Sequence, residues 1–248
     1  MIRTLHAELT KTFSLRSIQA TFLAALVVPP GLAWASGFAF DPNTPAAASF
    51  PIESHGFETA GFGQPLVILL AALVAGGEYL DGQLRSTLLA TPRRSRVLGA
   101  KLLVIAALAA AIGLIATTAA VLLKHVALSE HGLRPSQFTT EMGWNLLGVA
   151  VNYTLTALIA AGITLIARTF IVALVVLVPL ALGLTISLLG LFPLLKYLPD
   201  LAGIQLLTGY PGVGLLDPIL GGFVMASWAA VVLAVTWALF TRRDIGSA

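Results

Sequence analysis

Long apolar runs alternate with short polar breaks along this chain, and the run lengths set the architecture. Six runs, at residues 17–40, 64–77, 102–123, 142–167, 169–192 and 219–240, read as membrane-spanning helices, since about 20 predominantly apolar residues cover the hydrocarbon core of a bilayer. The expected fold class is an all-α integral membrane protein with one transmembrane domain over residues 1–248. Pro29-Pro30 should kink or loosen the first span, and Gly76-Gly77 permits a bend at the end of the second. Residues 193–218 are too broken by Pro and Gly for a span, although 201–207 is largely apolar. This segment is expected to form an outer re-entrant or interfacial hairpin between spans five and six.

Ahead of the first run the period changes. Ile2, Leu5, Leu9 and Phe13 share one helical face with Lys11 opposite, which predicts an amphipathic helix over residues 1–16 lying on the membrane surface. Arg3, Lys11 and Arg16 would then sit near headgroups. The alternative is the basic n-region of a signal peptide, with Ala33-Trp34-Ala35 resembling a cleavage site.

Composition supports the membrane reading. Hydrophobic residues make up 58% of the 248 and charged residues 10%, with a mean hydropathy of +0.94; a soluble domain carries about 25% charged residues. There is no cysteine, which excludes disulfides and thiolate chemistry. Charge sets the orientation. With both termini cytoplasmic, only Lys124, Arg134 and Lys196 of the 14 Lys and Arg fall outside, as the positive-inside bias requires. The net charge of +3 then reflects orientation and gives no reason to expect a nucleic-acid partner.

The longest charged passage between the apolar runs is residues 76–101. It holds Glu78, Asp81, Arg85, Arg93, Arg94, Arg96 and Lys101, and its charges confine it to water. Any polytopic protein has basic inner loops. Here, acids open the loop, Leu84 and Leu88 give it an amphipathic turn, and Thr91-Pro92 reads as an N-cap with proline at the first helical position. Residues 78–101 are therefore read as a cytoplasmic docking loop.

Other chemistry is sparse. The four lysines follow Thr, Ala, Leu and Leu, so no Walker A loop exists and ATP hydrolysis would need another polypeptide. His125, Glu130 and His131 cluster on an outer loop, but their spacing fits no zinc template and no metal is expected. Asn145, Gly148, Asn152 and Thr156 recur at helical spacing on span four. That face suits interhelical hydrogen bonding, with contact to a transported substrate as the alternative. No Asp, Glu, Lys or Arg lies mid-span, which disfavours proton- or ion-coupled carriage, and no internal repeat favours an inverted-repeat transporter.

Glu78 after an apolar span, then Gly82-Gln83-Leu84-Arg85-Ser86-Thr87-Leu88-Leu89, then Pro92-Arg93-Arg94-Ser95-Arg96 and Lys101, resembles the inner loop of type-2 ABC exporter permeases. Glu8-Leu9-Thr10-Lys11 is similar to that family's opening helix. The spacing through Gln83 and Thr87 departs from the family's tighter Gly-Thr pattern. The resemblance implies a permease that pairs with a second permease, identical or related, and sits on two ATPase subunits, which bind the ATP and Mg. It implies location in the inner or plasma membrane and ATP-driven export; the absence of mid-span charge points to an apolar or amphiphilic substrate, drug-, lipid- or peptide-like. Glu78, Asp81, Arg85, Leu88, Arg93 and Arg96 become the expected ATPase-coupling residues, and Asn145, Asn152 and Thr156 the candidate pathway. A channel or carrier outside the ABC class, or a scaffold subunit of a membrane complex, is the alternative.

Overall fold

The computed structural model describes residues 2–41, 51–80, 93–208 and 214–242, which are helical with no strand among them. A short helix α1 (Ile2–Ser14) precedes α2 (Arg16–Phe38), and two 3-10 turns, Ile52–Ser54 and Phe57–Thr59, lead into α3 (Ala60–Leu80). Helix α4 (Arg94–Ala127) and helix α5 (Thr140–Ala167) form an antiparallel pair at the centre. Then come α6 (Phe170–Ala181), α7 (Leu184–Leu188), α8 (Pro199–Ala202) and α9 (Pro218–Arg242). Helix α2 packs on α4, α3 lies between α2 and α5, α6 leans on α3, and α9 leans on α5.

Five segments among the described residues are long and apolar enough to cross a membrane: Arg16–Phe38, Ile52–Tyr79, Arg94–Ala127, Thr140–Ala167 and Pro218–Arg242. The expected fifth span, residues 169–192, differs. Its helix α6 has 12 residues and stops at Leu182, where Gly183 takes φ +102° before α7 begins. Twelve residues rise about 18 Å, short of the roughly 30 Å core. The sequence is apolar throughout this stretch, so hydropathy could not reveal the break; the left-handed glycine makes it.

Two other local expectations are refined. Helix α2 continues through both Pro29 and Pro30 as one element, with both prolines buried. Helix α3 likewise runs through Gly76-Gly77. Gly76 serves close approach there, since a Cβ would press on Thr164 and Phe170 at 3.0 and 3.3 Å. At the end of α5, Arg168 takes a left-handed conformation, φ 57°, and the Thr169 hydroxyl then accepts from the Ile171 N–H at 3.3 Å.

The core is made of small and branched side chains at helix crossings, including Val67, Ala71, Leu98, Ile112, Val149 and Ala160. Gly113 lets α4 close on α5, where a Cβ would meet the Ala150 Cα at 2.8 Å. The outward faces carry exposed Leu23, Val27, Ile115, Val175, Phe223 and Val231. In water such a surface would be an aggregation liability; in lipid it is the solvated face.

Between α7 and α9 the chain forms short pieces, Pro193–Tyr197, α8 and Ile204–Leu206, seated on α5 and α9. Glycines admit the backbone: a Cβ at Gly148 would lie 2.7 Å from the Leu206 carbonyl oxygen, and one at Gly221 would collide with that of Ala202. Gly221→Ala is therefore expected to push α8 off α9 at a cost of about 1–3 kcal/mol, the usual range for overpacking. An unfolding midpoint in detergent unchanged from the parent would refute the tight contact.

Candidate functional site

The end of the bundle where α1, α2, α3 and α4 meet holds four charged side chains in one cluster. On α1, Leu5, Glu8, Leu9 and Thr12 follow the i, i+3, i+4, i+7 spacing of one face. Glu8 and Thr12 are buried, and Leu5 and Leu9 pack against the core. The expected helix is present over Ile2–Ser14, and its inward face is more polar than the apolar stripe suggested. Its inward face carries a carboxylate, and Lys11, expected at the headgroups, turns toward α3. The exposed Phe13 makes an edge contact with Phe22 at 5.6 Å between ring centroids.

Glu78 ends the apolar part of α3 and Lys101 sits two turns into α4. Lys101 Nζ lies 3.0 Å from Glu8 Oε2 and 3.1 Å from Glu78 Oε2, and it donates to the Val74 carbonyl at 3.3 Å. Lys11 pairs with Glu8 at 3.3 Å and with Glu78. Among the described residues two acids and two bases thus alternate in a neutral quartet. Glu8, Glu78 and Lys101 are 3, 4 and 2% exposed, so each depends on the others for its charge to be tolerated. Burial pulls the Lys11 ammonium down, but its hydrogen bond to Glu78 and the charges of Glu78 and Glu8 outweigh that and raise it above the ordinary lysine value. A raised lysine remains charged through neutral pH, and the stability it contributes is present below the ordinary lysine value near 10.5 and lost only as pH climbs through the raised one.

The opposite end carries a second ion pair. Lys124, expected in an outer loop, is buried in the last turn of α4, 3.1 Å from Glu58 and donating to the Ser36 hydroxyl at 2.8 Å. Lys101 and Lys124 are 23 positions apart on one helix, roughly 35 Å of rise, close to the hydrocarbon thickness. The lysines therefore bracket an apolar band. Next to Lys124, His125 Nδ1 accepts from the Leu133 N–H at 3.1 Å and its ring leans on Phe138. Among the described residues no three His, Asp or Glu side chains converge on a metal position.

Polar groups also meet inside the bundle. Asn152, fully buried on α5, accepts from Gln64 Nε2 at 2.8 Å and from the Thr156 hydroxyl at 3.4 Å, and it donates to the Gly203 carbonyl at 2.7 Å. Asn152 stands about 18 Å along α5 from Thr140, so this contact draws the short segment deep between the helices. Trp228, about 15 Å into α9, donates to the Tyr197 carbonyl at 2.8 Å at a similar depth. Asn145, on the same helical face, is half-buried nearer the end of α5. A cavity beside the network is lined by Gln64, Thr156 and Asp200 among apolar side chains. Sequence spacing found Asn152 and Thr156. It missed Gln64 and Asp200, which sit on other elements and are polar residues with no periodic partner.

Of the expected coupling residues, Glu78 belongs to the quartet, while Arg93 and Arg96 are exposed at the start of α4. Asp81, Arg85, Leu88 and the Thr91-Pro92 restart lie outside the described residues. Glu8, Lys11 and Lys101 complete the site around Glu78. For Glu8 and Lys11 the signal that could have found them was an acid and a base three apart on α1, the acid beside the apolar Leu5 and Leu9. Residues 4–186, well over half of the chain, match the family described as ABC-2 family transporter protein. Among curated proteins none matches this chain.

Proposed function

Because this chain belongs to the ABC-2 family of transporter proteins, and so is a multi-pass membrane component of an ABC transporter, we propose that it is the permease subunit of an ATP-driven exporter. It pairs with a second permease and stands on two ATPase subunits that bind and hydrolyse ATP with Mg. The chain crosses the inner or plasma membrane six times with both termini cytoplasmic. In this topology α6 and α7 together make the fifth crossing, and the segment 193–218 enters from outside without crossing. The substrate is apolar or amphiphilic.

The buried quartet is the observation that carries this reading. It fastens α1, the end of α3 and the start of α4 on either side of residues 81–92, which the sequence pattern reads as the docking loop. A force on such a loop is transmitted to α3 and α4 together, whereas a loop rooted in mobile ends would absorb it. Arg93 and Arg96 stand exposed at a helix N-terminus, where the backbone dipole disfavours a cation; an anionic surface on a docked partner would offset that. ATP binding then drives export only to the extent that it favours the outward-open arrangement by a differential free energy.

Leu88 supplies the apolar anchor of the docking and Arg85 a rim contact, with Asp81 beside them. Anchors dominate interface energies and rim charges contribute less. Co-purification of an ATPase with the tagged chain tests the partner directly. Leu88→Asp should abolish that association or uncouple transport from ATP hydrolysis while leaving the chain inserted. Arg85→Ala should reduce coupling only in part. Intact assembly and transport in Leu88→Asp would return this loop to an ordinary positive-inside connector, and transport with no ATPase would favour a channel or carrier.

A further inference from the structure

Sequence alone gives the interior no charge with which to hold an ionic substrate, yet the fold brings one there. Asp200 lies in α8, on the segment that Asn152 and Gly221 seat deep against α5 and α9. One carboxylate oxygen accepts from the Thr185 hydroxyl; the other, Oδ1, is closed to solvent and has no hydrogen-bond partner. Among the described residues no cation pairs with it. A carboxylate oxygen closed off in this way is costly unless something pairs with it.

The cavity it lines says what that something is. Its other polar residues are Gln64 and Thr156. Gln64 directs an amide N–H to Asn152, and the Thr156 hydroxyl hydrogen points to the same acceptor. What remains on Thr156 is oxygen lone pairs, on Gln64 a carbonyl oxygen and one further N–H, and on Asp200 a carboxylate oxygen. Acceptors therefore outnumber donors at this wall, while Ile68, Leu177 and Met225 make the rest of it apolar. A few polar groups in an apolar pocket is the usual form of a small-molecule site. A hydrated metal ion would gain nothing from that apolar remainder.

We propose that Asp200, Gln64 and Thr156 bind the primary ammonium group of an amphiphilic organic cation, whose apolar body rests on Ile68, Leu177 and Met225. An ammonium brings three N–H donors and a positive charge, matching three acceptors of which one is charged. This site rests on the exporter reading for its role as a substrate site, and it narrows that substrate to a cationic amphiphile. The short segment thereby carries the carboxylate to a depth where no spanning helix of this chain places one.

The test is equilibrium dialysis of radiolabelled hexylamine, protonated at pH 7, against the full-length chain in lipid nanodiscs, with empty nanodiscs subtracted. Saturable binding is expected, at least tenfold weaker in Asp200→Asn, severalfold weaker in Thr156→Val, and poorly displaced by hexanol or sodium ion. Equal binding in Asp200→Asn, or equal displacement by hexanol, overturns the site. Displacement by sodium at matched concentration assigns it to an inorganic cation and overturns it too. Should Asp200→Asn fail to fold, Thr156→Val and the competition arms still decide. The assay needs no ATPase, so its failure leaves the exporter reading standing. Failure of the Leu88→Asp test likewise leaves ammonium binding intact.

Discussion

Lys101→Met is expected to lower the stability of the folded chain by about 3–5 kcal/mol, the usual consequence of removing one partner from a buried ionic group. Methionine matches much of the lysine stem, so the cavity contribution is small. The loss comes from Glu8 and Glu78, each almost wholly buried, whose remaining base within the quartet is Lys11. Adding Glu78→Gln to Lys101→Met restores a neutral Glu8–Lys11 pair and should recover a large part of the loss. The two substitutions are then strongly non-additive, as contacting residues in one network are. Denaturant unfolding in micelles gives both quantities. A single substitution within about 1 kcal/mol of the parent, or strictly additive losses, would show that the quartet does not act as one network. A functional consequence accompanies it. With α1 unpinned, transport coupled to ATP should fall further than ATP hydrolysis, because the roots of the loop no longer move as one.

Asn152→Leu is expected to cost about 2–3 kcal/mol, within the range for buried polar groups that lose their partners. Its side chain accepts from Gln64 and Thr156 and donates to the Gly203 carbonyl. Leucine fills similar space but leaves those groups unsatisfied, at about 1–3 kcal/mol for a buried polar group. Part is recovered where Thr156 turns to another acceptor. The change should be local in a way the Lys101 change is not. Amide exchange across residues 199–207 should accelerate while α4 and the quartet stay protected, because Asn152 anchors that short segment to α5. Uniform acceleration, or none, would show that the segment is held by its apolar contacts alone. Thr156→Val removes only the long 3.4 Å bond and should cost less.

Hydropathy is enough to locate most of the long helices and their rough limits. In lipid every backbone polar group must be satisfied within its own helix, so an apolar run of sufficient length has few alternatives. Residues 17–40, 142–167 and 219–240 are readable for that reason, and they correspond to Arg16–Phe38, Thr140–Ala167 and Pro218–Arg242. The inner-loop pattern around Glu78 likewise points to the family, which the match over residues 4–186 bears out.

Hydropathy also has blind spots, and they follow from what it averages. An apolar run does not record a left-handed glycine, so the break at Gly183 within residues 169–192 emerges only in three dimensions. An isolated charge reads as solvent-exposed because burial is costly; the cost is offset only when partners arrive from elsewhere in the chain. Glu8, Glu78 and Lys101 are such a case, each tolerable because helices distant in sequence deliver the opposite charge. Lys124 with Glu58 is another. Asp200 is the sharpest example. Its sequence neighbours place it in a broken outer segment, but glycines at 148 and 221 and the Asn152 hydrogen bond carry it into the bundle. The linear order of residues thus settles which stretches are apolar enough to enter the membrane and which loop carries the family's pattern. Which charges are buried, and what they face, is settled by folding, since a charge is stabilised by its spatial neighbours and a linear pattern does not record them.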